Sequence, residues 1–183
     1  MPVLQTQIDS GSEPFARHRA QMLALIESFR GFEGRVRDTS NAMESRFRAR
    51  KQLLPRERVA RLLDRGSPWL ELSTLAGFRM HDDDGEKNVL GAGIVTGIGI
   101  VSGVRCMIFA SDSAIKGGTI TPMGMRKSLR AEAIALENKL PVVRLVESGG
   151  ANLMHVGEVF IEGGRGFANQ ARLSAAGIPQ VTV

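Results

Sequence analysis

The sequence predicts an α/β fold in which a two-stranded hairpin leads into strand–helix–strand crossovers. Residues 89–101 and 104–110 are rich in Val and Ile and are joined at Ser102-Gly103, a pattern typical of two antiparallel strands around a tight turn. Residues 142–146 have the near-continuous apolar character of a buried parallel strand. Residues 178–183 begin another buried strand, and helical patterns between these strands indicate a partly parallel sheet covered by helices.

Length and composition indicate an ordinary globular protein with one core. The chain has 183 residues, of which 43% are hydrophobic and 23% are charged. No apolar run reaches the roughly 18 residues of a membrane span, and no basic-then-apolar leader opens the chain. The single cysteine, Cys106, lies in the apolar run CMIFA, which favours a buried structural thiol in a reducing compartment. We therefore expect a cytoplasmic protein with no membrane contact.

The positive charge is confined to the N-terminal part of the chain. The net charge is +5, and residues 1–70 hold 13 basic against 8 acidic residues. Because acids and leucines interrupt the arginines and aromatic residues are few, a solvated or subunit-facing helical surface is favoured over nucleic-acid binding. Residues 13–29 fit an amphipathic helix, GFEG at 31–34 is expected to interrupt it, and an arginine-rich segment follows at 35–51.

The next segment predicts a short helix, a strand and a loop. Pro55 stands at a favourable first helical position, and Gly66 is expected to end that helix. An extended segment is expected to begin at Trp69. The tract HDDDGEK at 81–87 is a polar loop, and the spacing of its acids does not fit a calcium-binding loop.

The stretch GAGIVTGIGIVSG, residues 91–103, comes within one residue of the dinucleotide-binding fingerprint in two frames. That fingerprint requires a helix directly after the glycines, so that a pyrophosphate meets the helix N-terminus. Here a second strand follows instead. The glycines are therefore interpreted as bends and close backbone approaches within a sheet.

A better candidate anion site begins at Lys116–Thr119, the sequence KGGT. It leads to Thr121-Pro122, which combines a helix-capping residue with proline at the first helical position. The helix is expected to run to about Asn138 and to carry three cations away from its apolar face: Arg126, Lys127 and Arg130. Loop N–H groups, the helix dipole and these cations would all favour a phosphate. From spacing alone, the favoured alternative is a glycine turn beside a solvated basic face.

The predicted strand at 142–146 delivers Glu147–Asn152, the sequence ESGGAN, to the carboxyl edge of the sheet, where α/β proteins place their sites. A helix broken near Gly163-Gly164 is expected to follow. A Ser148 nucleophile with His155 as base remains a remote alternative, because Val146 stands where a nucleophile elbow needs glycine. The three histidines lie in unrelated segments, so no metal site is predicted.

Several blocks of the sequence, in the same order, resemble the N-terminal carboxyltransferase domain of biotin-dependent acyl-CoA carboxylase β-subunits. They are KQLLPRERVARLLDRGSPWLEL, GAGIVTGIGIVSG, FASDSAIKGGTITPMGMRKSLRAEAIALENKLPVVRLVESGGANL and NQARLSAAGIPQ. The nearest type is the methylcrotonyl-CoA carboxylase β-subunit, with propionyl- and acetyl-CoA carboxylase β-subunits as wider relatives. The resemblance covers residues 50–183, and residues 1–49 form a helical basic N-terminal extension.

The resemblance implies a crotonase-like α/β fold. Stacked ββα units would form a superhelix, here incomplete, with helices against two roughly perpendicular sheets. It also implies transfer of CO2 from carboxybiotin, carried by a biotin carboxylase/biotin carrier α-subunit, to an acyl-CoA within a homo-oligomer. Catalysis would use backbone N–H groups as oxyanion holes. The family's oxyanion glycines fall beyond Val183, so no catalytic residue is expected in this chain, which we expect to be inactive alone. The alternatives are a non-catalytic CoA-binding or subunit-interaction module and, remotely, a Ser148 hydrolase.

Carried over by position, the resemblance implies three groups of ligand-binding residues. The CoA nucleotide would lie beside the loop and the helix that follows it: Lys116, Gly117, Gly118, Thr119, Arg126 and Lys127. The adenine and pantetheine channel would be lined, chiefly by backbone, by Ala110, Ser111 and Asp112. A wall of the acyl pocket would be formed by Gly149 and Gly150. After Leu153 the chain departs from the family pattern, so the acyl-CoA is not assigned.

Overall fold

The computed structural model describes residues 5–80 and 90–183, which form five helices and five strands. The helices are α1 (Glu13–Asn41), α2 (Glu44–Ala49), α3 (Pro55–Leu62), α4 (Pro122–Glu137) and α5 (Val156–Ala175). The strands are β1 (Leu70–Leu72), β2 (Ile94–Val101), β3 (Val104–Ser111), β4 (Val142–Leu145) and β5 (Gln180–Thr182). The predicted loop at 81–87 lies outside the described residues.

The strands form one sheet in the order β1-β2-β3-β4-β5. The first three strands are antiparallel, and β3, β4 and β5 run parallel, with α4 and α5 as the crossover helices. This confirms the α/β class and the hairpin–helix–strand order. The second sheet implied by the resemblance is not formed by residues 5–80 and 90–183. Strand β5 lies at the sheet edge, where Val181 is half exposed, so the prediction of a buried strand at this position is wrong.

Helices cover both faces of the sheet, and β3 separates the two halves of the core. Its side chains alternate as a strand requires: Met107 and Phe109 pack against α4 and α5, while Ile108 packs against α3. Cys106 shares the α3 side and is buried, as predicted; its Sγ donates a hydrogen bond to the Val104 carbonyl. Burial, and secondarily Asp64, raises the pKa of this thiol.

Two glycines of β2 are required by what packs on that strand. A Cβ at Gly97 would overlap the Trp69 ring and approach the Leu70 carbonyl oxygen to 2.5 Å. A Cβ at Gly99 would overlap the Leu63 side chain. The interpretation of these glycines as close approaches within a sheet is therefore confirmed.

The predicted turn at Ser102-Gly103 is also confirmed. Both residues have positive φ, 51° and 78°, which is the conformation of a type I′ hairpin. The Asp64 carboxylate accepts both turn N–H groups at 2.7 Å, and the Asp64 N–H donates to the Ile100 carbonyl. This contact draws the chain away from α3. The helix therefore ends at Leu62, and the prediction that it ends at Gly66 is wrong.

The two helix breaks predicted at glycines are wrong. Helix α1 continues through residues 31–34, and α5 continues through Gly163-Gly164. A helical glycine costs only about 1 kcal/mol relative to alanine, which tertiary contacts outweigh. In α1 those contacts lie in its last third, where Val36 is buried and the Phe32 ring packs 4.9 Å from that of Phe78.

Strand β2 begins later than predicted. Residues 90–93 form a tight turn instead, in which Gly91, Ala92 and Gly93 all have positive φ; we call Gly91–Gly93 the left-handed bend. Val89, the predicted first residue of the strand, lies outside the described residues. Within residues 5–80 and 90–183, no helix is both long and apolar enough to cross a membrane.

The packing at Gly97 gives a stability prediction. We expect Gly97→Ala to lower the free energy of unfolding by about 2 kcal/mol, because the new methyl group overpacks against backbone and a rigid indole ring. Gly34→Ala is the matched control: it meets no atom within 4 Å and should stabilise α1 slightly. Urea denaturation followed by circular dichroism measures both, and equal stability of the two variants would contradict the close approach.

Candidate functional site

Two loops meet at the carboxyl edge of the sheet. One contains Lys116–Gly118, which we call the KGG turn, and leads into α4; the other, Glu147–Asn152, follows β4 and is called the SGG loop. Hydrogen bonds join them: the Ile120 N–H donates to the Gly150 carbonyl at 2.8 Å, and the Gly149 N–H donates to the Gly118 carbonyl at 3.2 Å. The structure therefore brings together two glycine segments that the sequence placed thirty residues apart.

The KGG turn and the SGG loop pack main chain against main chain. A Cβ at Gly118 would overlap the Glu147 carbonyl, and a Cβ at Gly149 would lie 2.8 Å from the Gly117 carbonyl oxygen. Lys116, Gly117 and Gly118 all have positive φ. The turn is thus built from backbone that tolerates no side chain on its packed side.

The first cavity lies on the α4 and α5 side of the KGG turn and has a volume of about 270 Å³. Its walls are mostly apolar and include Ile94, Ile120, Met125 and Val146. Helix α5 contributes Gly163 and Gly166, so no bulky side chain enters from those positions. Its floor is polar, because Arg144 and Glu132 form an ion pair of 2.8 Å there.

The second cavity lies on the other side of the KGG turn, towards α2, with a volume of about 510 Å³. Its lining is much more polar and carries three cations: Arg46, Arg50 and Lys116. It also contains Glu147, whose carboxylate accepts from the Ser113 hydroxyl at 2.7 Å and lies 3.5 Å from Arg58. The cavity therefore keeps a positive balance.

The two cavities are neighbours. Lys116 and Gly117 line the second, Gly118 and Thr119 line the first, and Ser148 lines both. The KGG turn is the partition between them.

The predicted start of α4 is confirmed. Thr121 caps the helix by accepting the Gly124 N–H at 3.0 Å, and Pro122 occupies the first helical position. The Thr121 hydroxyl also donates to the Ala92 carbonyl at 3.1 Å. The helix N-terminus is thereby tied to the left-handed bend.

The sequence predicted Lys127 to be an exposed cation, and this prediction is wrong. It is only 5% exposed, and its Nζ donates to the Gly91 carbonyl at 3.2 Å and to the Ile94 carbonyl at 2.7 Å. Burial lowers its pKa to about 8, an effect partly offset by Glu71. The buried line of α4 passes through Gly124, Lys127, Ala131 and Ala135. Arg126 and Arg130 are exposed, as predicted, and neither lines the two cavities.

The residues at the end of β3 differ in their access to the site. Only Ser111 lines the first cavity, whereas Ala110 is fully buried. The Asp112 carboxylate is buried too and accepts from the Ser40 hydroxyl at 3.2 Å and from the Ala114 N–H at 3.1 Å. Burial raises the pKa of Asp112, against the lowering effect of the Ser40 hydrogen bond. This carboxylate fastens α1 to the sheet edge.

Sequence reasoning missed the contribution of α2 and of the polar floor. Arg46 and Arg50 reach the second cavity only because α2 folds back over the loop after β3, a contact that spacing does not indicate. Glu132 and Arg144 lie on α4 and β4, and neither was singled out as a site residue from the sequence. Glu132 is buried, paired with Arg144 and with Asn169, whose Nδ2 donates to it at 3.1 Å.

Side chains typical of metal or hydrolytic chemistry are not gathered at this edge. No group of three His, Cys, Asp or Glu residues that could hold a metal ion occurs in the part of the chain described. The Ser148 Oγ accepts the Gly150 N–H at 3.1 Å, and His155 Nδ1 lies 3.8 Å from Glu158.

Comparison with known proteins identifies the family to which these features correspond. Residues 46–183 match the family described as carboxyl transferase domain. The chain is 43% identical, over 185 aligned positions, to a probable methylcrotonoyl-CoA carboxylase beta chain, mitochondrial, of Drosophila melanogaster; the match covers 99% of this chain and 32% of the relative.

Two solved structures extend the comparison. The beta subunit of geranyl-CoA carboxylase from P. aeruginosa is 56% identical, with a TM-score of 0.88, over 99% of this chain and 34% of that subunit. Transcarboxylase 12S, described as a hexamer assembly, has a TM-score of 0.78 over 88% of this chain and 32% of its own, at 22% identity, which supports the fold alone. The crotonase-like assignment is confirmed, and the chain spans about a third of the length of these relatives.

Deprotonation of Lys127 gives a testable dependence of stability on pH. Its pKa is about 8 in the folded chain, against an ordinary value of 10.5. Between these values the unfolded chain binds more protons, so this group makes stability rise with pH, by at most about 1.4 kcal/mol per pH unit.

We therefore expect the stability of the wild type relative to Lys127→Met to increase between about pH 8 and about pH 10. Urea denaturation at each pH measures the difference, and the variant cancels the contributions of all other titrating groups. A difference that is constant or decreasing over this range would contradict a buried ammonium.

Proposed function

The chain belongs to the carboxyl transferase domain family, and we propose that it forms part of the carboxyltransferase β-subunit of a biotin-dependent acyl-CoA carboxylase. The observation that carries the proposal is the pairing of a basic cavity with an apolar cavity across the KGG turn. An acyl-CoA has a matching division into a polyanionic nucleotide and a less polar acyl thioester. The same division is what the relatives' named substrates share.

The second cavity is proposed to bind the nucleotide phosphates. Arg46, Arg50 and Lys116 supply positive charge, and a guanidinium can bind a phosphate with two parallel hydrogen bonds. Glu147 does not cancel this charge, because Ser113 and Arg58 already engage its carboxylate. Lys127 is left out of this proposal because its ammonium is buried and bound to two carbonyls.

The first cavity is proposed to receive the acyl group. Its volume of about 270 Å³ lies at the low end of small-molecule sites, which suits an acyl chain and not a whole CoA. Helix α5 also contributes Phe167 and Gln170 to the lining, but Gly163 and Gly166 leave part of that wall without side chains, so the cavity accepts bulk beyond an acetyl group. We therefore propose a branched or extended apolar acyl-CoA as substrate.

Biotin, the cofactor implied by the family, supplies an activated carboxyl group when it is bound. The residues described here do not fit it alongside the acyl group, because the first cavity, of about 270 Å³, has room for one ligand of that kind. We assign none of them to biotin. The proposed carrier is a partner α-subunit, and the biotin ring would be held by parts of the assembly outside these residues.

The proposed contribution of this chain to catalysis is positioning. The main chain of the KGG turn and the SGG loop is fixed by the packing of glycine against carbonyl oxygen, so the partition between the two cavities keeps its shape when a ligand binds. Apolar walls on both α4 and α5 exclude water from the acyl group. No side-chain base is invoked.

An exposed apolar strip supports the proposed assembly into an oligomer. On and before α5, five large apolar side chains are each more than 70% exposed: Leu153, Met154, Phe160, Ile161 and Phe167. Exposed patches of this kind mark protein interaction sites. Phe167 also lines the first cavity, so a subunit bound there would close the cavity from outside.

A non-catalytic CoA-binding module is the second candidate function. It is favoured by one observation: this chain by itself lines a basic and an apolar cavity, although it spans 32% of the length of a relative. Such a module would bind acyl-CoA and show no transfer of CO2 when a biotinylated partner is supplied.

The cytoplasmic location and the reducing compartment stay predictions.

Calorimetric titration with CoA tests the nucleotide site. We expect the double variant Arg46→Gln, Arg50→Gln to bind CoA about tenfold more weakly than the wild type, since each charged hydrogen bond contributes roughly 1.5–3 kcal/mol before solvent screening. Arg130→Gln, an exposed cation of α4 outside the cavity, is the control. If all three proteins bind equally, or none binds, the nucleotide assignment is wrong.

Filling the first cavity tests the acyl site. A Cβ on Gly166 would meet no atom within 4 Å, so Gly166→Leu should fold, with α5 slightly stabilised by the loss of a helical glycine. We expect the advantage of geranyl-CoA over CoA in binding affinity to disappear. Gly164→Leu, on the same helix but outside the cavity lining, should keep it. An unchanged preference in Gly166→Leu would contradict the assignment.

A further inference from the structure

The left-handed bend is a strained wall of the first cavity. Gly91, Ala92 and Gly93 have φ values of 75°, 60° and 72°. Three successive residues in this region are unusual, and Ala92 is the unfavourable one, because its Cβ crowds the carbonyl oxygen in this conformation. Ala92 and Gly93 line the first cavity together with Ile94. The shape of that wall therefore depends on whatever keeps the bend in place.

All four carbonyl oxygens from Gly91 to Ile94 accept a hydrogen bond from outside the bend. The Lys127 ammonium binds those of Gly91 and Ile94, at either end, at 3.2 and 2.7 Å. The Thr121 hydroxyl binds that of Ala92, and the Asp112 N–H binds that of Gly93. Among the side chains that the structure describes, Lys127 is the one that bonds to both ends of the bend.

The bend is also confined from the side opposite α4. The Val36 side chain of α1 lies 3.1 Å from where a Cβ on Gly91 would be. Leu90, directly before the bend, is only 2% exposed. These contacts are apolar, so the polar part of the fixation falls to the Lys127 ammonium, the Thr121 hydroxyl and the Asp112 N–H.

We propose that Lys127 is a positioning residue for acyl binding, which holds the left-handed bend as a wall of the first cavity. The proposal rests on the assignment of that cavity to the acyl group. A methionine of similar length would fill the same space but donate nothing to the Gly91 and Ile94 carbonyls. Lys127 lines neither the first nor the second cavity, so it acts on acyl binding through the bend.

The test compares octanoyl-CoA with CoA, because the difference between them reports the first cavity alone. We expect Lys127→Met to bind octanoyl-CoA about tenfold more weakly and CoA equally well. Adding Ala92→Gly should restore most of the loss, since glycine adopts the left-handed conformation without help. Arg130→Met, on the exposed side of α4, should leave both affinities unchanged. Equal weakening of both ligands, or no rescue by Ala92→Gly, would overturn the proposal.

Hydrogen exchange of the ligand-free protein gives a readout that does not depend on the proposed function. We expect amides of residues 92–94 to exchange about tenfold faster in Lys127→Met, while those of 107–109 in β3 stay as protected as in the wild type. Unchanged exchange at 92–94 would refute the clamp. If the wild type binds neither ligand, the proposed function fails and this measurement still decides the role of Lys127. If the methionine variant does not fold, Lys127→Gln, which is too short to span the bend, takes its place with the same expectations.

Discussion

Main chain packed directly on main chain is the constraint on which the site depends. At the carboxyl edge of the sheet, Gly118 lies against the Glu147 carbonyl and Gly149 against the Gly117 carbonyl. A third such contact joins Gly124, in the first turn of α4, to Ala92: a Cβ on Gly124 would lie 2.6 Å from the Ala92 carbonyl oxygen. A methyl group at any of these positions would separate the segments. The arrangement fixes the peptide groups themselves, and with them the walls of both cavities.

The hairpin makes this edge possible by leaving one sheet face to the crossover helices. Because Gly97 and Gly99 admit Trp69 and Leu63 onto the other face, α3 can cover that face closely. Helices α4 and α5 then pack over β3 and β4 and enclose the first cavity, while α2 lies beside the second. A basic and an apolar compartment thereby share one thin partition of three residues.

Local signals were predictable from the sequence, and long-range contacts were not. The tight turn at Ser102-Gly103 and the cap at Thr121-Pro122 are each favoured by residues adjacent in the sequence, so both could be predicted correctly. The glycines inside α1 and α5 led to the wrong prediction of helix breaks, because the helix propensity of glycine is only about 1 kcal/mol less favourable than that of alanine, and tertiary packing outweighs it.

The site could be predicted only in part, because some of its residues are brought together by long-range contacts. The loops after β3 and β4 were recognised as a candidate site because parallel strands end at one edge. Periodicity could not show that Lys127 faces the left-handed bend, since the partner carbonyls lie more than thirty residues earlier. The cations of α2 were missed because their position depends on a packing contact between distant segments.

The placement of Cys106 at the centre of the sheet gives the molecule an internal reporter of its own opening. The thiol is 5% exposed, donates to a carbonyl of its own strand, and has a raised pKa. A thiol-specific alkylating reagent therefore meets a protonated, shielded sulfur as long as α3 stays on the sheet. Since the sequence holds no other cysteine, the rate of labelling reports the fraction of molecules in which α3 has separated from the sheet. No engineered probe is needed.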